Sequence, residues 1–111
     1  MSNLQDSVLF TPYRLGQVTL RNRTIRSAAF ESMGKDFSPT QQLKDYHVAV
    51  ARGGVGMTTL AYAAVCRSGL SFNKQLWLRP EIVPGLREIT DAVHREGAAA
   101  AIQIGHCGNM T

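Results

Sequence analysis

The 111-residue sequence predicts an α/β fold built on a parallel sheet. Two segments with apolar residues at helical spacing alternate with three runs that are apolar almost throughout, and glycine closes each helical segment. Strands that alternate with helices require right-handed βαβ crossovers. Strands without polar alternation belong in a sheet covered on both faces. Two architectures use that order, a doubly wound sheet and a (β/α)8 barrel.

Each element has a local reason. Residues 1–7 are polar and read as a lead-in. Tyr13-Arg14-Leu15 and Val18-Thr19-Leu20 flank Gly16-Gln17, and a two-residue connection with glycine first suits a hairpin with a type II′ turn. Residues 24–31, with Ile25, Ala28, Ala29 and Phe30, read as the first strand of the main sheet, followed by a loop with Gly34, Ser38 and Pro39. Over residues 40–52 the positions Leu43, Tyr46, His47, Val50 and Ala51 recur at i, i+3, i+4, i+7 and i+8, the stripe of an amphipathic helix. Ser38 or Thr40 can cap its start, and Gly53-Gly54 ends it.

Residues 55–65 form the second strand, and residues 66–79 read as a long loop anchored by Phe72 and Trp77. Residues 84–96 carry Leu86, Ile89 and Val93 at helical spacing, with Pro84 in the first turn and Gly97 past the end. Residues 98–104 are the third strand, and Gly105-His106-Cys107-Gly108 opens a loop. Its outer edge, apolar and unpaired, invites pairing with another chain, so a homo-oligomer is an expectation.

The totals exclude several classes. Hydrophobic residues make up 44% and charged residues 18%, a globular balance. No apolar run approaches the roughly 20 residues of a membrane-spanning helix, and MSNLQDSVLF is not a signal peptide. A cytoplasmic address and no membrane partner are therefore expected. The net charge of +4 raises nucleic acid as a partner. The basic residues are scattered, however, with Arg21, Arg23 and Arg26 the densest group, and nucleic-acid binding needs clustering. Cys66 and Cys107 stand 41 positions apart without ligand spacing, which predicts free thiols and no metal site.

In both architectures ligands gather at the carboxyl ends of the strands, which selects residues 27–30, 60–62 and 103–106. Arg52-Gly53-Gly54-Val55-Gly56 is no phosphate cradle, because it closes a helix instead of opening one. Gln103 offers a donor beside an acceptor, which suits a heterocycle edge such as the pyrimidine edge of a flavin. From the residue alone, a glutamine bonded to neighbouring backbone is the commoner state. His106 reads first as a loop-holding histidine and second as a general acid. His47 and His94 fall on helices and read as packing residues, and Tyr62 either faces a ligand or packs at a strand end. No carboxylate pair, nucleophile–base pair or strand-end Schiff-base lysine is apparent, since Lys35 and Lys74 fall in loops.

Several stretches in order nevertheless resemble the NADH:flavin oxidoreductase or Old Yellow Enzyme family. They are LFTPYRLGQVTLRNR (Leu9 to Arg23), RGGVGM (Arg52 to Met57), RPEIVPGLREITDAVHREG (Arg79 to Gly97) and AIQIGHCG (Ala101 to Gly108). The resemblance implies that residues 1–111 are the N-terminal part of an FMN-binding TIM-barrel domain, a partial (β/α)8 barrel preceded by a hairpin. It also implies a cytoplasmic flavoprotein in which NADH or NADPH reduces FMN. The flavin then passes hydride to a small-molecule electron acceptor, an activated C=C bond or similar group. By position, Ser27, Ala28, Ala29 and Phe30 would line the isoalloxazine, Tyr62 would lie near it, and Gln103 would meet its pyrimidine portion. Gly105 would leave room beside the flavin. Phe30 stands where many relatives have a flavin-tuning Thr or Cys, and Asn109 where an arginine is frequent. The family's substrate-gripping pair and phosphate loops follow the fourth strand, so a non-catalytic, oligomeric or partner-bound module is the alternative.

Overall fold

Residues 7–71 and 74–108 are described by the structure, a computed structural model. A 3-10 turn at Val8–Phe10 leads into β1 (Tyr13–Leu15) and β2 (Val18–Leu20), which pair antiparallel. Gly16 supplies the positive φ, +60°, that the first central position of a II′ turn demands.

The main sheet is parallel. β3 is Ile25–Arg26, β4 is Met57–Ala64, β5 is Leu76–Trp77 and β6 is Ala99–Gly105. Met57 pairs with both Ile25 and Ala99, whereas Ala63 pairs with both Leu76 and Ile104. β3 and β5 therefore share one side of β4, at its two ends, and β6 runs along the other side. The helices are α1 (Gln41–Arg52) and α2 (Val83–Arg95). Thr40 is the cap of α1, its hydroxyl accepting the Leu43 N–H at 3.1 Å. Gly54 takes φ +106° past the end of α1 and Gly97 takes φ +88° past the end of α2. A 3-10 turn at Pro80–Ile82 runs directly into α2, which begins one residue before the proline.

Both helices lie on one face of the sheet. Leu43 and Ala51 from α1 meet Ile89 and Val93 from α2 over Leu60, Ala63, Leu76 and Ala98, all buried. Lys44 and Glu88 bridge the helices at 2.9 Å. None of the described helices is long and apolar enough to cross a membrane.

Two expectations change. Only Ile25–Arg26 of residues 24–31 is strand, because the segment leaves the sheet as soon as Glu31 turns back to bond β4. The loop over 66–79 contains β5, whose two residues are too few to show a period; its Trp77 ring lies between the guanidinium groups of Arg67 and Arg79, at 5.9 and 4.7 Å. Trp77 does anchor the loop, while Phe72 lies outside the described residues.

Candidate active site

The site residues reach one face through an extra residue in β4. Leu60 pairs with Ile102, but Ala63 pairs with Ile104, so β4 uses three steps where β6 uses two. Side chains alternate along a strand, and one inserted residue exchanges the faces. Before the bulge, Thr58 and Leu60 point at the helices, where Thr58 Oγ1 bonds His47 at 2.7 Å. Beyond it, Tyr62 turns to the open face. A Cβ built on Gly105, two residues after Gln103, would meet the Tyr62 ring at 3.3 Å. Tyr62 and Gln103 thus share the face opposite the helices.

The space beside Gly105 is therefore occupied by Tyr62, which corrects the expectation that this glycine leaves room for a flavin. Phe30 stands at 6.0 Å, centroid to centroid, from the Tyr62 ring, tilted by 54°. Ser27, Ala29 and Phe30 are exposed and Ala28 is half-buried. The segment 27–30, Tyr62 and Gln103 thus all lie at the carboxyl ends of β3, β4 and β6. Gln103 is exposed, and its amide has no hydrogen-bonding partner among the described residues. The commoner reading, a glutamine tied to nearby backbone, does not hold.

Behind this face lies a buried polar network. The Glu31 side chain is 2% exposed. Its carboxylate accepts the Ala61 N–H at 3.0 and 3.2 Å and bonds His47 Nε2 at 2.8 Å. Arg26 stands 3.6 Å from it and donates to the Thr59 carbonyl at 2.6 Å. Glu31 thereby ties the segment holding Phe30 to the backbone just before Tyr62. His47 is a packing residue, as its helical position predicts, but a fully bonded one. Glu31 was not singled out from sequence, although a carboxylate inside an otherwise apolar run is the signal that could have found it.

The rim above is held by His106, as expected. Its Nδ1 accepts the Gly108 N–H at 2.8 Å, and Nε2 bonds Ser68 Oγ at 3.3 Å. Tyr62 Oη contacts Cys107 Sγ and lies 3.2 Å from Ser71 Oγ. Ser71 donates from N–H and O–H to Gln75 Oε1 at 2.8 and 3.0 Å. Gln75 Nε2 is buried without a partner.

The dense arginines are spent internally. Arg21 donates to the carbonyls of Ala51, Val55 and Glu96. Arg23 lies over the Tyr13 ring at 5.1 Å and bonds Thr11.

The family model described as NADH:flavin oxidoreductase / NADH oxidase matches residues 8–111. A 4,4'-dithiodibutanoate disulfide reductase of Rhodococcus erythropolis is 48% identical over 108 residues, covering 97% of this chain and 27% of that protein. A probable N-methylproline demethylase of Rhizobium meliloti is 48% identical over 110 residues, covering 97% of this chain and 16% of that protein. The chain thus spans about a quarter and a sixth of these relatives' lengths. Old Yellow Enzyme from Pichia sp. AKU4542 superposes with a TM-score of 0.87 at 22% identity, covering 98% of this chain and 29% of that one. At that identity the likeness shows the fold alone.

Proposed function

Because the chain belongs to the NADH:flavin oxidoreductase / NADH oxidase family, we propose that it forms one wall of the FMN site in an ene-reductase-like oxidoreductase. The wall is part of a (β/α)8 barrel, with β3, β4 and β6 as its first three barrel strands. NADH or NADPH reduces the flavin, which supplies hydride to an activated C=C bond or similar small-molecule acceptor. The relatives' names, a disulfide reductase and a demethylase, point to acceptors beyond alkenes.

The Gln103 amide carries this reading. A polar side chain on a strand otherwise lined by alanine and isoleucine, aimed at the open face and without an internal partner, suits the donor–acceptor edge of the pyrimidine ring. Phe30 and Tyr62 offer ring faces beside it, and backbone 27–30 closes the other side. These residues fit a flat heterocycle. Glu31 binds nothing itself and fixes the two segments that do.

The bare face and the outer edge of β6, with Ile25 and Ile104 about half exposed, favour a second reading, a partner-bound or oligomeric module without catalysis. An absorption spectrum of the chain mixed with FMN and then desalted separates the two. A retained flavin band supports the first reading. A colourless, stable oligomer speaks for the second.

A further inference from the structure

Cys66 and Cys107 are separated by 41 positions. The last ladder pairs of β4 and β6, Ala63 with Ile104 and Ala64 with Gly105, have the same offset. The Val65 N–H continues that register by donating to the Gly105 carbonyl at 3.1 Å, and Cys66 keeps extended backbone, φ −153° and ψ 167°. Continued two residues past the ladder, the register sets the cysteines side by side at the carboxyl ends of neighbouring strands. Such strands lie about 4.8 Å apart, inside the roughly 4.4–6.8 Å between Cα atoms that a disulfide spans. Residues in register on parallel strands also point to the same face. Both are free thiols in this structure.

We infer that Cys66 and Cys107 are a thiol–disulfide exchange pair that takes small organic disulfides. The inference goes beyond the flavin reading and does not depend on it.

Their surroundings give the two thiols different tasks. Cys66 is exposed, with its sulfur 3.2 Å from Ser68 Oγ. Because His106 Nδ1 accepts the Gly108 N–H, the proton of the neutral ring sits on Nε2. Nε2–H then donates to Ser68, whose own O–H is left for the Cys66 sulfur. A sulfur already holding a donor keeps it on becoming a thiolate, the attacking form. Cys107 is half-buried. Since Ser71 gives its hydroxyl proton to Gln75, it accepts from Tyr62, and the Tyr62 oxygen in turn accepts the Cys107 S–H. Cys66 is the attacking thiol and Cys107 the resolving one.

The exchange balances on two electrons. The Cys66 sulfur, having lost its proton, attacks one sulfur of R–S–S–R, the S–S bond breaks, and the first RSH leaves with that proton. Cys107 then attacks the Cys66 sulfur of the mixed disulfide, forms the Cys66–Cys107 bond, and releases the second RSH with its own proton. The organic disulfide is the oxidant, and an added dithiol restores the pair.

The test treats the chain with oxidised glutathione, blocks remaining thiols, and reads intact mass and unreduced peptides. Expected are loss of two hydrogens, a peptide linking Cys66 to Cys107, and two glutathione thiols released per chain. Cys107→Ser should trap one glutathione on Cys66, while Cys66→Ser should react roughly ten-fold more slowly, as the less accessible thiol does. Two glutathione adducts per chain, a link between chains, or equal rates in the two variants would overturn the inference.

Discussion

The two ends of the main sheet treat their polar groups in opposite ways. At the amino end every strong donor is spent. Arg21 places its guanidinium on the carbonyls of Ala51, Glu96 and Val55 at 2.6, 2.6 and 3.1 Å, satisfying chain ends where α1 and α2 stop. Asn22 bonds the Gly54 carbonyl and the Thr24 N–H. At the carboxyl end, groups behind the sheet are equally saturated, with Glu31 and His47 fully engaged. Those in front are not, and Gln103 keeps its amide open. One end is built to hold the fold and the other to meet something else, the division expected where ligands gather at strand carboxyl ends.

The largest effect expected from breaking the contrast is at the amino end. Arg21→Ala removes three charge-assisted hydrogen bonds to carbonyls that would stay largely shielded from water. A loss of about 3 kcal/mol follows, read as a lower urea midpoint at unchanged slope. A shift under about 0.5 kcal/mol would mean that the staple is ornamental.

The smallest effect belongs to the exposed pair Arg52 and Glu96 at the same end, 3.0 Å apart. The hydrogen bond from Arg52 holds the Glu96 carboxyl below its ordinary range, with the charges of Arg52, Arg21 and Arg95 adding to this against a desolvation that opposes it. A carboxyl depressed in the folded state stabilises above its unfolded value, and that contribution disappears as pH falls through the folded value. Arg52→Gln should therefore flatten the acid-side fall of stability without changing its level at high salt, where a surface pair is screened. An unchanged acid limb in denaturation series at several pH values would contradict this.

Much of the fold is legible in the sequence, and the contrast explains what is not. The helices follow from the Leu43 to Ala51 and Leu86 to Val93 stripes, because one-sided burial writes a period into sequence. Their ends follow from Gly53-Gly54 and Gly97. Gln103 stands out because an amide is unusual in a strand of small apolar residues. The bulge between Leu60 and Ala63 leaves no mark, since Ala61, Ala63 and Ala64 are alike whichever face they take, so the placing of Tyr62 and the filling of the space at Gly105 are invisible in advance. Glu31 hides for another reason. Its partners, His47 and the Ala61 N–H, are 16 and 30 positions away, a separation that no local pattern spans.

The most direct test of a carboxyl end reserved for a flavin is an FMN fluorescence titration of the chain, its Gln103→Leu variant and its Arg52→Gln variant. Losing a hydrogen-bonded amide worth about 1 kcal/mol weakens binding by roughly five- to ten-fold. The account predicts saturable quenching in the parent chain, weakened to that extent in Gln103→Leu at unchanged unfolding temperature, and untouched in Arg52→Gln. Equal affinity in the parent and Gln103→Leu, or an equal loss in both variants, would contradict it.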